Sequence, residues 1–249
     1  GVQTCALPIL MHWLYLAINI GSIALPLVYS FHHSIKFNRH FKALFAALAI
    51  TAFCFVTWDM IFTQAGVWGF SNNYTFGIRI GQLPLEEVLF FFCIPFSSIF
   101  IYHCINLFYP KTISGKTVNV ITVVLILFLS VTGFIFIGRL YTSVTFLSTA
   151  VLLTLFQFVL KIKWLGNYYR AYIIILIPFF IVNGILTGTG LESPVVWYNN
   201  NENMGIRLLT IPFEDVFYGF ELLLLNIFIF EKLKPFLSER LENRQPFFI

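Results

Sequence analysis

The 249-residue sequence predicts an all-α polytopic membrane protein of about seven transmembrane helices, arranged as a parallel three-plus-one-plus-three internal repeat. Three observations lead there. First, 59% of the residues are apolar and only 10% charged, whereas a soluble domain uses about a quarter of its positions for charge. Second, the apolar residues gather into runs of about the 20 positions that a bilayer-spanning helix needs. Third, one stretch of chain recurs 128 residues downstream. The composition is also rich in aromatics, with 31 Phe, 11 Tyr and 5 Trp. A net charge of +4 spread over this length makes no phosphate-binding stripe, which excludes nucleic acid as a partner.

Residues 1–10 carry no initiator Met and precede Met11-His12-Trp13, so they read as a truncation or a cloning remnant. Spans follow near 11–31, 43–63, 84–108, 118–138, 143–160, 170–188 and 210–230. The first is too long and too weakly preceded by charge for a cleaved signal peptide. Between the spans, Lys36, Arg39, Lys42, Lys111, Lys116, Lys161, Lys163, Arg170, Lys232, Lys234, Arg240 and Arg244 fall on one side, and Arg79, Arg139 and Arg207 on the other. The positive-inside rule then places the N-terminus outside and the C-terminus in the cytoplasm. Cys5, Cys54, Cys93 and Cys104 are scattered without metal-ligand spacing and read as small core residues. The histidines offer no metal set either.

The repeat pairs GIRIGQLPLEEVLFFF at 77–92 with GIRLLTIPFEDVFYGF at 205–220, identical at seven of sixteen positions where composition gives about one. Val67, Asn72 and Asn73 extend it to Val195, Asn200 and Asn201. The shift maps spans 1, 2 and 3 onto 5, 6 and 7 and leaves span 4 as a connector. The domains are thus a first repeat at 11–110, a connecting helix at 111–140, a second repeat at 141–234 and a cytoplasmic tail at 235–249. A displacement of four spans preserves orientation, so both motifs lie on one membrane side.

Pro84 and Pro212 suit a first helical turn, and the acids Glu86-Glu87 and Glu214-Asp215 follow in that turn. Such acids can simply complement the helix dipole. Duplicated pairs at a membrane helix entrance mark a site. Neighbouring helical residues point about 100° apart, so one acid of each pair faces the bundle; Glu86 and Glu214, the identical positions, are expected to be those. Asp59 lies on the same side and can join them, and Glu221 is deeper on the face of Glu214. Arg79 and Arg207 either anchor their loops or pair with the acids as electrostatic support. Motifs for nucleotides, zinc proteases or magnesium-bound diphosphates are absent, and span 7 has no lysine for a retinal Schiff base.

The residues Trp58-Asp59 with Phe62-Thr63, GVWGF at 66–70, LPLEEVLFF at 83–91, IPFEDVFY at 211–218 and LLLLN at 222–226 resemble the membrane-integral lycopene cyclases of carotenoid biosynthesis. That family occurs as two small bacterial subunits or one fused chain and carries a PxE(E/D) motif in each. The resemblance runs from Met11 to about Lys234, and the second half departs from the first in having Thr187 where Asp59 stands and no GVWGF run. It implies an intramolecular lyase, or isomerase, of the cytoplasmic membrane that closes β-ionone rings on lycopene without net redox change. A proton is delivered to the terminal alkene, a neighbouring double bond attacks the tertiary cation, and a different proton leaves. The donor must be a neutral carboxylic acid, and aromatic faces can stabilise the cation without trapping it.

The principal acid and base are therefore expected to be Glu86 and Glu214, with Glu87, Asp215 and Asp59 in support. A cation-tolerant cavity is expected from Trp58, Trp68, Phe70, Phe90, Phe91, Trp197, Tyr198, Phe217 and Tyr218. No metal or cofactor is evident, and any reduced flavin would be an outside participant, since no dinucleotide-binding fold is present. The partners are lycopene, a lipid-soluble polyene, and membrane lipid, with other carotenoid-pathway enzymes as possible neighbours. Cyclisation of a longer C50 carotenoid, or proton-coupled transport by a parallel-repeat carrier, are the alternative functions.

Overall fold

The computed structural model of the chain describes residues 11–242, with side chains up to Leu237. Residues 1–10, including Cys5, and 243–249, including Arg244, lie outside it, as does the side chain of Arg240. Each expected span is a helix: α1 (Leu14–Tyr29), α2 (Phe41–Gln64), α3 (Leu85–Phe108), α4 (Gly115–Ile135), α5 (Leu140–Thr154), α6 (Leu165–Leu186) and α7 (Phe213–Glu242). α2 to α6, counting the turns that extend α2 and α5, are long and apolar enough to cross a membrane. α1 is apolar but has 16 residues. α7 has 30 and carries Glu214 and Asp215 in its first turn. Phe53, Phe134, Val151, Ile173 and Ile177 are exposed on the outer face, where lipid is the fitting solvent. Cys54 is exposed as well, so it is not a core residue, while Cys93 and Cys104 are partly covered.

The two halves interlock. Across them α2 runs against α7 and α3 against α6; within them α1 packs on α3 and α5 on α7, and the connector α4 lies on α5. With little hydrophobic drive between helices in lipid, close packing has to supply the cohesion. Gly133 of α4 allows it, since a Cβ there would meet Leu147 Cγ at 2.8 Å.

Between α2 and α3, and again between α6 and α7, the chain folds over one end of the bundle. Each of these loops ends in a short hairpin, β2 (Arg79–Ile80) with β3 (Leu83–Pro84) and β5 (Arg207–Leu208) with β6 (Ile211–Pro212). Upstream, β1 (Trp68–Phe70) pairs antiparallel with β4 (Val196–Tyr198), matching Trp68 to Tyr198, Gly69 to Trp197 and Phe70 to Val196. Gly69 and Trp197 are equivalent positions under the 128-residue shift, so this ladder lies on the pseudo-two-fold axis. Gly69 must lack a side chain, because a Cβ would come within 2.3 Å of the Trp197 ring.

Candidate active site

Both helices that carry the acids begin at a hairpin proline, and each hairpin is pinned in the same way. Leu85 N–H donates to Ile78 O at 2.9 Å and Phe213 N–H to Ile206 O at 3.0 Å. Arg79 donates to Gln82 O at 2.7 Å and Asn72 Oδ1 at 2.6 Å; Arg207 donates to Thr210 O at 2.7 Å and Asn200 Oδ1 at 2.9 Å. Of the two expected roles, loop anchoring is the one the arginines fill. Arg207 also lies 5.9 Å over the Tyr198 ring.

The acids of each pair part company at the first turn. Glu86 Oε1 accepts the Phe76 N–H at 2.5 Å and Glu214 Oε1 the Met204 N–H at 2.7 Å, so these two fold back onto their own loops. Glu214 also accepts from the Thr142 hydroxyl at 2.6 Å. The expectation that Glu86 and Glu214 face the bundle centre is corrected. The loop residue ten positions upstream presents an N–H to the first acid, and the 100° step along the helix turns the second acid inward. Glu87 and Asp215 are the inward ones.

They line a cavity of about 540 Å³ between α1, α3, α6 and α7. Its acidic end holds Asp59, Glu87 and Asp215 with Tyr15, Trp68, Phe70, Tyr141, Tyr198 and Tyr218. From there it follows α3 past Phe90 and Ile94 to Ile101, roughly 21 Å at about 1.5 Å per residue. The opposite walls come from Leu25 and Pro26 of α1 and from Ile175, Pro178, Phe179 and Val182 of α6. The long part is mostly apolar, with Ser22, Ser97 and Ser98 on its wall, and the carboxyls are gathered at one end.

Each inward acid is held by a buried phenol. Tyr15 donates to Glu87 Oε2 at 2.5 Å, and Tyr141 to Asp215 Oδ1 at 2.5 Å. Beyond that the halves differ. Asp215 Oδ2 accepts a second phenol, Tyr198, at 2.9 Å. Withdrawal from water pushes the Tyr198 phenol well above the usual tyrosine range, and the nearby Asp215 charge adds to this, so Tyr198 stays a donor. Glu87 instead lies against Asp59, whose Oδ1 accepts from the Trp68 indole and, at 3.3 Å, from Thr63. The Asp59 counterpart, Thr187, bonds to Thr210 Oγ1 at 2.7 Å and leaves the second half without a third acid.

Of the expected aromatic lining, Trp68, Phe70, Phe90, Tyr198 and Tyr218 reach the cavity. Trp58 backs Tyr218 from behind at 5.2 Å between ring centres, and Phe91 is buried against Phe55. Trp197 crosses Gly69 and is 45% exposed. Phe217 borders a separate cavity of about 200 Å³. Glu221 turns from the site to α5, accepting from Ser148 at 2.7 Å and Thr149 at 3.0 Å. Tyr15 and Tyr141 are site residues that the sequence reading missed. They stand 72 and 74 residues before their acids, so a search at the single 128-residue offset passes over them. Among the described residues no group of three or more His, Cys, Asp or Glu is placed to share a metal ion.

These observations define a class: an all-helical membrane bundle whose two halves send carboxyls to the head of one long, mostly apolar cavity. A family model described as lycopene cyclase matches residues 12–105 and 138–233, the two halves without the connector. The chain belongs to the lycopene cyclase family. No curated protein and no solved structure matches it.

Proposed function

We propose that the protein is a lycopene β-cyclase type isomerase of the cytoplasmic membrane, with its basic end toward the cytoplasm and its acids at the opposite face. The observation that carries the reading is the convergence of Asp59, Glu87 and Asp215, from both halves, at one end of an aromatic-walled cavity. A polyene lies along the α1, α3 and α6 walls with its terminal isoprene unit among the acids. A carboxylic acid protonates the terminal double bond, and a tertiary cation forms. The neighbouring double bond attacks it, closing the carbon–carbon bond of the ring and moving the charge to a ring carbon. A carboxylate then removes a ring proton, which leaves the ring double bond.

Proton gained equals proton lost, and no electrons are exchanged, so this sequence needs no redox partner. Trp68, Phe70, Phe90, Tyr198 and Tyr218 offer π faces to the cation and no strong nucleophile. The β1–β4 ladder roofs the site against water, which would quench the cation. Glu86 and Glu214 act as positioning residues that fix the loops carrying this roof. The test is expression in a lycopene-accumulating bacterium followed by pigment separation. Cyclic carotenoid with β-rings is expected; unchanged lycopene in membranes that hold the protein contradicts the assignment.

A further inference from the structure

Resting on that reading, we infer that the two acid sets have fixed and different duties: the Asp59–Glu87 pair is the proton donor and Asp215 the proton acceptor. The hydrogen-bond inventory around each set separates them. A phenol stands on each oxygen of Asp215, Tyr141 on Oδ1 and Tyr198 on Oδ2, and an ionised carboxylate can accept from both. Two phenol donors favour the charged form of Asp215, which has no carboxyl proton to give. Glu87 has one phenol, Tyr15, and in place of a second it has a carboxyl neighbour. Asp59 and Glu87 line the same end of the cavity side by side, and two neighbouring carboxyls hydrogen-bond only when one of them carries a proton.

The remaining oxygen of Asp59 sharpens the point. Oδ1 is taken by Trp68 and Thr63, while Oδ2 is enclosed and has no other partner, so its lone pairs are left for a proton shared with Glu87. Asp59 is thereby the fixed member of the pair, and Glu87, one turn above Phe90 on the cavity wall, is the member that meets the alkene. The departure of the second half from the repeat, Thr187 in place of Asp59 and Tyr198 in place of Phe70, is what converts two equivalent acids into an acid and a base.

Removing a donor and removing an acceptor leave different products. Without the donor no cation forms. Without the acceptor the cation forms and is discharged elsewhere, by loss of another proton or by capture of water. Membranes containing wild type, Glu87→Gln or Asp215→Asn are incubated with lycopene, the pigments resolved by chromatography and mass spectrometry, and folding checked by lycopene retained on the purified protein. Glu87→Gln is expected to bind lycopene and form no ring. Asp215→Asn is expected to form fewer rings, with the double bond displaced or a hydroxyl added. Rings of any kind from Glu87→Gln, or only unreacted lycopene on a lycopene-binding Asp215→Asn protein, overturn the assignment. Tyr141→Phe combined with Tyr198→Phe provides a second reading, since it strips both donors from Asp215 and keeps the carboxyl. A raised share of displaced-double-bond rings supports the inference, and an unchanged product ratio contradicts it. If wild type itself makes no ring, the function proposed above fails, which is a separate outcome.

Discussion

Glu86 and Glu87 are neighbours in sequence and about 100° apart in helix rotation, and that angle decides what each can do. Glu86 spends an oxygen on the Phe76 N–H, a bond that a glutamine carbonyl also accepts. Glu86→Gln is therefore expected to lose about 1 kcal/mol of stability, read from thermal unfolding in detergent, and to keep cyclising. Glu87→Gln keeps its shape and its contact with Tyr15 but has no proton to deliver; complete loss of ring formation is expected, with lycopene binding retained. Tyr15→Phe leaves the Glu87 carboxyl short of one donor and is expected to reduce turnover while sparing the fold. The pairing of acids was legible in the sequence as a duplicated motif. Which acid faces inward was not, because identity between the halves marks a shared task, and here the shared task is holding a loop.

At the scale of elements, the hairpins and the ladder are where the duplication is most visible and where it was least expected. Arg79 and Arg207 repeat the same two bonds because the same turn is built twice. The turns differ at one position: Gly81 adopts φ +62°, and Leu209, its counterpart, is held at φ 59° with 78% of its surface exposed. Left-handed backbone costs a non-glycine residue roughly 1–2 kcal/mol. Leu209→Gly is expected to stabilise the protein by about 1 kcal/mol, measured by thermal unfolding in the same detergent. The opposite holds at Gly69, where any side chain collides with Trp197. Gly69→Val is expected to open the β1–β4 ladder, and with Trp68 and Tyr198 displaced, cyclisation falls along with stability. Short strands that pair across 128 residues leave almost no periodic signal in the sequence, so the ladder could not be read from it, although the aromatics on it could.

For the whole molecule, the apolar runs predicted the seven helices, since lipid leaves the chain little choice besides helices, and the repeat predicted two motifs on one side, but not which helices pack together. The asymmetry of the cavity was harder to see. Glu221 ties α7 to α5 through Ser148 and Thr149, whereas the matching α3 position is Cys93, without that tie. The cavity runs between α1 and α3 of the first half and α6 and α7 of the second, and α3 is tied instead to α1, Ser97 donating to Ser22 O at 2.9 Å. Most Lys and Arg lie at the end opposite the acids, from which the positive-inside rule predicts a cytoplasmic C-terminus; a reporter fused there is expected to be active only in the cytoplasm, and periplasmic activity contradicts this orientation. The central claim is ring closure started by a proton at this site. The most direct test is to incubate membranes holding the protein with lycopene in heavy water and weigh the products. The account predicts cyclic carotenoid carrying one deuterium for each ring formed. Rings without deuterium, or lycopene left unchanged, would contradict it.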